Sequence, residues 1–116
     1  MKVLVTGGRD FRNRACVARE MDALFKEHGH SLMIIEGGAR GLDSLVADWC
    51  DGNGLPHAQV KALWTVQQLR AGPIRNAAML LLEPELVVAF PGGDGTANMV
   101  ELARQCGIRV QVVQDA

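Results

Sequence analysis

The sequence predicts an α/β fold, a parallel sheet with helices packed on both faces. Short aliphatic runs alternate with stretches whose apolar residues recur at helical spacing. Glycine-rich loops follow three of the aliphatic runs and lead each into a helical stretch. At 116 residues, 48% of them apolar, the chain is long enough for one packed core and is read as a single domain over residues 1–116.

Lys2-Val3-Leu4-Val5-Thr6 is a β-rich run and the first expected strand, followed by the loop Gly7-Gly8-Arg9-Asp10-Phe11. Apolar positions at Val17, Met21, Leu24, Phe25 and His28 predict a helix from about Asn13 to His28, and Gly29 is placed to end it. Ser31 to Ile35 reads as the second strand, and Glu36 closes it before the loop Gly37-Gly38-Ala39-Arg40-Gly41. A second helix is expected from about Leu42 to Asp51, burying Leu42, Leu45, Val46 and Trp49.

His57 to Leu63 is a weaker strand, and Trp64 to Gly72 fits either a short helix or an ordered loop. Pro73 suits the first turn of a third helix that runs to about Leu82 and buries Ile74, Ala77, Ala78 and Leu81, with Arg75, Asn76 and Met79 turned to another side. Pro84 stops it. Leu86 to Phe90 is the fourth strand, and Ala97 to Gly107 a helix with Val100, Ala103 and Cys106 on one face. Arg109 to Val113 is the last strand.

The natural solution is a Rossmann-like three-layer sandwich whose central parallel sheet has about five strands in the order 3-2-1-4-5. In that order the chain reverses between strands one and four, and ligands of such sheets bind at the reversal, outside the carboxyl ends of the strands. All three glycine loops then lie along one edge. The loop Pro91-Gly92-Gly93-Asp94-Gly95-Thr96 joins a strand to a helix start. Its glycines allow close backbone approach to an anion, and the helix supplies free N–H groups and the positive end of its dipole. None of the loops has G-x-G-x-x-G spacing, and no G-x-x-x-x-G-K-[ST] loop is present, which argues against the usual dinucleotide and ATPase sites.

Four motifs in this order carry a resemblance: Gly7-Gly8-Arg9-Asp10-Phe11, Gly37-Gly38-Ala39-Arg40-Gly41-Leu42-Asp43, Ala71-Gly72-Pro73-Ile74-Arg75-Asn76 and Phe90-Pro91-Gly92-Gly93-Asp94-Gly95-Thr96. The chain resembles the small YspA/YpsA-related SLOG proteins over essentially its whole length. That resemblance implies a Rossmann-like fold and a nucleotide-like ligand, with dimers expected from the relatives' habit. The wider superfamily includes DNA-processing proteins and the Lonely Guy phosphoribohydrolases, which cleave the N-glycosidic bond of nucleoside 5′-monophosphates. The latter's pattern is P-G-G-x-G-T-x-x-E, with an arginine on the preceding helix. Arg75 matches the arginine, and Pro91, Gly92, Gly93, Gly95 and Thr96 match the loop, but the glutamate position is Met99. A methionine neither accepts a proton from water nor stabilises an oxocarbenium-like centre by charge. Glu101 lies about 200° further round an ideal helix.

The candidate ligand set is therefore Gly7, Gly8, Arg9, Asp10, Gly37, Gly38, Ala39, Asp43, Arg75, Asn76, Pro91, Gly92, Gly93, Gly95 and Thr96. Arg75 is read as a bidentate phosphate clamp, against pairing with Glu83 or Glu85 at the surface. Arg9 suits a phosphate, whereas Asp10 suits either a ribose hydroxyl or a helix cap. Asp43 fits a helix start or a ligand equally well. Thr96 is read as both helix cap and phosphate donor. Glu36 and Arg75 are the weak catalytic candidates, with a plain loop role for Glu36 the commoner case. Trp64 either stacks on a base or packs the core, and core packing is the safer reading.

A formal charge of −1 argues against a broad basic nucleic-acid surface. No apolar run approaches the ~18 residues of a membrane span, and no leader is evident, so a cytoplasmic protein is expected. Cys16, Cys50 and Cys106 are widely spaced, each in an expected helix, and are read as reduced packing residues; no metal site is expected. The expected function is binding of a nucleotide-derived small molecule with no required cofactor. A divergent nucleotide hydrolase using Glu36, Asp10 or Asp43 is the alternative, and a single-stranded nucleic acid the least expected partner. Met79 to Leu82 is the apolar cluster expected to pair subunits.

Overall fold

A computed structural model describes residues 1–115. Five parallel strands form one sheet in the order β3-β2-β1-β4-β5: β1 is Lys2–Thr6, β2 Met33–Glu36, β3 His57–Gln59, β4 Leu86–Ala89 and β5 Arg109–Val112. The expected order is the observed one, and the fold is Rossmann-like. The helices are α1 Arg14–His28, α2 Leu42–Gly52, α3 Trp64–Gln67, α4 Ala71–Leu80 and α5 Asp94–Gln105, with 3₁₀ turns at Gly29–Ser31 and Gln68–Arg70.

Alternation along the strands builds two cores. Val3, Val5, Ile34 and Val88 face α1 and α2, where they meet Val17, Met21, Leu42 and Val46. Leu4, Ile35 and Val87 face the other side and pack on Met79 of α4 and on Met99 and Ala103 of α5. The central strands β1 and β4 are covered on both faces, so they read as unbroken aliphatic runs.

Local signals explain the ends of α1. The Asn13 side-chain oxygen accepts the Cys16 N–H at 3.0 Å, a cap that contributes about 1 kcal/mol. Gly29 takes φ +58° and donates to the Phe25 carbonyl, the left-handed ending that glycine permits.

The third expected helix differs in start and in facing. The segment from Trp64 forms a short α3, a 3₁₀ turn and then α4, which begins two residues before Pro73. Proline fits there because the first N–H groups of a helix have no intrahelical acceptor. The buried side of α4 is Ala71, Gly72, Asn76 and Met79, whereas Ile74 and Leu81 are exposed. The apolar stripe expected to face the core is thus turned outward, because Asn76 is drawn inward by hydrogen bonds described below. In α5 the buried residues are Met99 and Ala103 rather than a Val100–Cys106 face; Cys106 caps the helix and is exposed. Strand β3 has only three residues, ending well before Leu63. No helix among the described residues is long and apolar enough to cross a membrane.

Candidate functional site

The loops after β1, β2 and β4 meet at the carboxyl edge of the sheet, and backbone hydrogen bonds join them. Phe90 N–H donates to Thr6 at 2.8 Å and Gly8 N–H to Pro91 at 2.9 Å, so the β1 and β4 loops continue the strand pairing beyond the strands. The Gly8 carbonyl accepts from Phe11 at 3.2 Å and from Leu42, the first residue of α2, at 3.1 Å. Gly8 therefore touches all three loops. Two glycines are required by this packing. Gly41, at φ +77°, lies so close to the Arg9 and Gly8 carbonyls that any Cβ would overlap them, and a Cβ at Gly92 would overlap the Thr96 hydroxyl.

Between these loops and α4 lies an open cleft of about 950 Å³. Gly7, Gly8, Arg9 and Asp10 line one wall, and Pro91 to Thr96 line another. Arg75 and Asn76 come from α4, and Trp64 and Leu69 from the segment before it. Among the described residues only Ala39 reaches the cleft from the loop after β2; Gly37 lies against the Arg75 guanidinium with Asp43 beside it, and Gly38 lies against the side chains of Gln59 and Lys61.

The start of α5 faces the cleft without a side-chain cap. Gly93, not Thr96, occupies the cap position, and the first bond within the helix is Ala97 N–H to Gly93 at 3.0 Å. Thr96 sits inside the first turn with its hydroxyl against Gly92. A helix start with unsatisfied N–H groups carries the equivalent of about half a positive charge.

Arg75 is fixed from two sides. Its Nη1 donates to the Gly37 carbonyl at 2.8 Å and its Nε to Asn76 Oδ1 at 3.0 Å. Asn76 Nδ2 in turn donates to the Gly95 carbonyl at 3.1 Å and to Asn98 Oδ1 at 3.0 Å, which ties α4 to the first turns of α5. Among the described residues Arg75 forms no ion pair, with Glu83, Glu85 or any other carboxylate. Burial lowers its pKa, Arg9 adds to that, and Asp43 and Glu36 oppose it.

The carboxylates divide between the cleft and the ground behind it. Glu36, wholly buried, accepts from Gly38 N–H, from His57 at 2.8 Å and from Gln59 at 2.9 Å. It anchors the loop that holds Arg75 and does not line the cavity. Asp43 accepts the Ala39 N–H at 3.1 Å; burial pushes its pKa up to about 6, Glu36 adds to the rise, and backbone donors and Arg75 restrain it. Asp10 lines the cleft and caps no helix, Asn13 having that role.

Trp64 is not a core residue. It is 45% exposed on the rim of the cleft, with the Arg9 guanidinium 4.8 Å from its ring centroid. Met99, by contrast, is completely buried between Met79 and the sheet, while its neighbour Asn98 reaches the cleft. Sequence reasoning passed over His57 and Gln59, the partners of Glu36. Their signal was the strand order, because β2 and β3 pair with Glu36 beside Gln59.

Comparison with known proteins gives consistent relatives. Residues 1–66 match the family described as YspA, cpYpsA-related SLOG. Gene 61 protein of Mycobacterium phage D29 is 30% identical over a 117-residue alignment that covers 94% of this chain and 93% of that protein. The X-ray structure of TM1055 matches with a TM-score of 0.76 at 19% identity, over 94% of this chain and 71% of its own. DNA processing protein A (DprA) from Streptococcus pneumoniae matches with a TM-score of 0.78 at 19% identity, over 99% of this chain and 50% of its own. This chain thus spans half of DprA, and at such identities the two structures speak for the fold.

Proposed function

The chain belongs to the YspA, cpYpsA-related SLOG family, and from that premise we propose that it binds a nucleotide or a nucleotide-derived small molecule, an ADP-ribose-like compound or a nucleoside phosphate, as a sensor or binding protein. One observation carries the reading: a positioned arginine that forms no ion pair among the described residues stands in the same cleft as an uncapped helix start. A phosphate on the Gly92–Thr96 loop would meet the free N–H groups of α5, with Arg75 and Arg9 as cations. The Trp64 ring offers an apolar face to a base, and Asp10 an acceptor for a ribose hydroxyl.

Binding is favoured over N-glycosidic cleavage by two further observations. The position of the Lonely Guy glutamate is held by Met99 within the core, and the Glu36 carboxylate is already occupied by three donors. Neither can act on a substrate in the cleft.

Thermal-shift titration with AMP, ADP-ribose and NAD tests the proposal. A ligand present at 100 times its Kd stabilises by about 2.7 kcal/mol. The expected result is a rise in Tm with at least one of these compounds, lost in Arg75→Ala. No response to any of them, with Arg75→Ala indistinguishable from the parent, would refute it. A steeply salt-dependent affinity for oligonucleotides would point to nucleic acid instead.

A further inference from the structure

Beside the main cleft lies a smaller cavity of about 310 Å³, lined by Arg9, Ala39, Arg40 and Trp64. It shares Arg9, Ala39 and Trp64 with the cleft, whereas Arg40 lines the smaller cavity and not the cleft. Among the described residues no part of the loop from Pro91 to Thr96 reaches it, and no carboxylate lines it, although Asp10, Asp94 and Asp115 stand in the cleft. Neither Arg9 nor Arg40 forms an ion pair among the described residues, in contrast to Arg14 with Asp48 and Arg19 with Glu20. Two guanidinium groups therefore border one small cavity with no side-chain anion beside them.

The backbone brings the two arginines together. Leu42 N–H donates to the Gly8 carbonyl at 3.1 Å, and Gly41 packs on the Arg9 carbonyl, so residues 9 and 40 leave adjoining stretches of chain. The loop that carries Arg40 is itself pinned, by Ala39 N–H to Asp43 at 3.1 Å and by the Ser44 hydroxyl to the Ala39 carbonyl at 3.3 Å. Arg9 rests on Trp64, its guanidinium 4.8 Å from the ring centroid. A guanidinium over a ring uses its face for that contact and keeps its in-plane N–H donors for an anion. Arg9 also opposes the charge of Arg75. Like charges thus line the way from the cleft into the side cavity, and bound anions would relieve their repulsion.

We propose that the ligand carries a second phosphoryl group remote from the first, and that Arg40 with Arg9 binds it in the side cavity. The inference rests on the nucleotide reading given above and narrows it to nucleotides phosphorylated at two separate positions, such as a nucleoside 3′,5′-bisphosphate. With the first phosphate on the Gly92–Thr96 loop, the second lies beyond Arg9, where that loop contributes nothing. A nucleoside monophosphate leaves Arg40 without a contact. A 5′-diphosphate carries its two groups side by side and serves one cavity better than two.

Calorimetric titration of the full chain with adenosine and guanosine 5′-monophosphates, 5′-diphosphates and 3′,5′-bisphosphates tests this. A bisphosphate is expected to bind about tenfold more tightly than its monophosphate, the size of one charge-assisted contact. Arg40→Ala should remove most of that advantage while the monophosphate loses much less, and Arg40→Lys, which keeps the charge, should restore part of it. Arg40 is exposed and its side chain makes no hydrogen bond among the described residues, so the fold does not depend on it. Equal affinity for monophosphate and bisphosphate, a 5′-diphosphate that matches the bisphosphate, or an Arg40→Ala protein that weakens both ligands alike would each overturn the proposal and leave the nucleotide reading standing. Affinity that keeps climbing from the bisphosphate to longer oligonucleotides would overturn it in favour of a nucleic-acid strand. Failure of every nucleotide to bind would overturn both readings together.

Discussion

Replacing Asp43 with asparagine should stabilise the protein at neutral pH, and the gain should disappear in acid. The Asp43 carboxyl is carried from its ordinary 3.8 to about 6, chiefly by burial and further by Glu36. Keeping it ionised at pH 7.5 therefore costs about 3 kcal/mol, at about 1.4 kcal/mol for each pH unit between the two values. The carboxylate accepts the Ala39 N–H and a second backbone bond from Gly37. An amide keeps one acceptor oxygen, so losing one of these bonds returns about 1 kcal/mol. The expected net gain for Asp43→Asn is about 2 kcal/mol at pH 7.5, a rise of roughly 6–10 °C in Tm for a chain of this size.

The sign follows from linkage. Because the folded pKa lies above the unfolded one, Asp43 favours the fold fully below about 3.8, and that contribution is lost as pH rises through about 6. The advantage of the variant should therefore shrink steadily between pH 7 and pH 4. Melting curves of both proteins at half-unit pH intervals would read it directly. A difference in Tm that stays flat across that range would refute the account of Asp43 as a carboxylate held ionised against its surroundings.

Further outcomes concern single residues of the cleft and its supports. Gly41→Ala forces a side chain onto the Arg9 and Gly8 carbonyls at a positive φ. It should cost roughly 3 kcal/mol or more in urea melts, and a neutral effect would contradict the loop packing. Met99→Glu places a carboxyl in the core between Met79 and the sheet. The variant should lose on the order of 4 kcal/mol and release no free base from nucleoside monophosphates; a stable, hydrolytic variant would show that position 99 faces the cleft. Trp64→Ala should leave Tm within roughly 2 °C, since the ring is at the rim, yet weaken a bound nucleotide by about 1–3 kcal/mol in calorimetry. Equal affinity would remove Trp64 from the base-binding role. Asn76→Leu should lower both stability and affinity, because it frees the α5 start and the Arg75 Nε together.

Much of the fold was legible in the residues. The run Lys2–Thr6 is the strand to its ends, and the cap Asn13 and stop Gly29 bracket α1 as local chemistry requires. The alternation of strands with helices implied a parallel sheet, and the common doubly wound order 3-2-1-4-5 assumed for it is the observed one. What misled was the use of hydrophobicity as a guide to burial in α4. Ile74 and Leu81 are apolar but turned outward, and Asn76 is polar but turned in, because its amide satisfies Gly95 and Asn98. Amphipathic period reveals that a helix has a distinct face, not which neighbour that face meets. Thr96 misled for a related reason. A threonine before an apolar run suits a cap, yet the backbone had already turned helical at Asp94, through glycines that tolerate any local conformation. The depth of Glu36 depends on His57 and Gln59 arriving from a strand more than twenty residues away, and no local pattern encodes that arrival.

The hydrogen bond from Gly8 to Pro91 also bears on how a ligand would be felt by the molecule. It joins the end of the first strand to a loop more than eighty residues later, and the two walls of the cleft belong to the pair of strands at the middle of the sheet. An occupant of this seam would grip both ends of that span at once. Its protection against hydrogen exchange would then reach the slowest amides, those of β1 and β4 that exchange only when the whole chain opens, rather than being confined to the loops it touches.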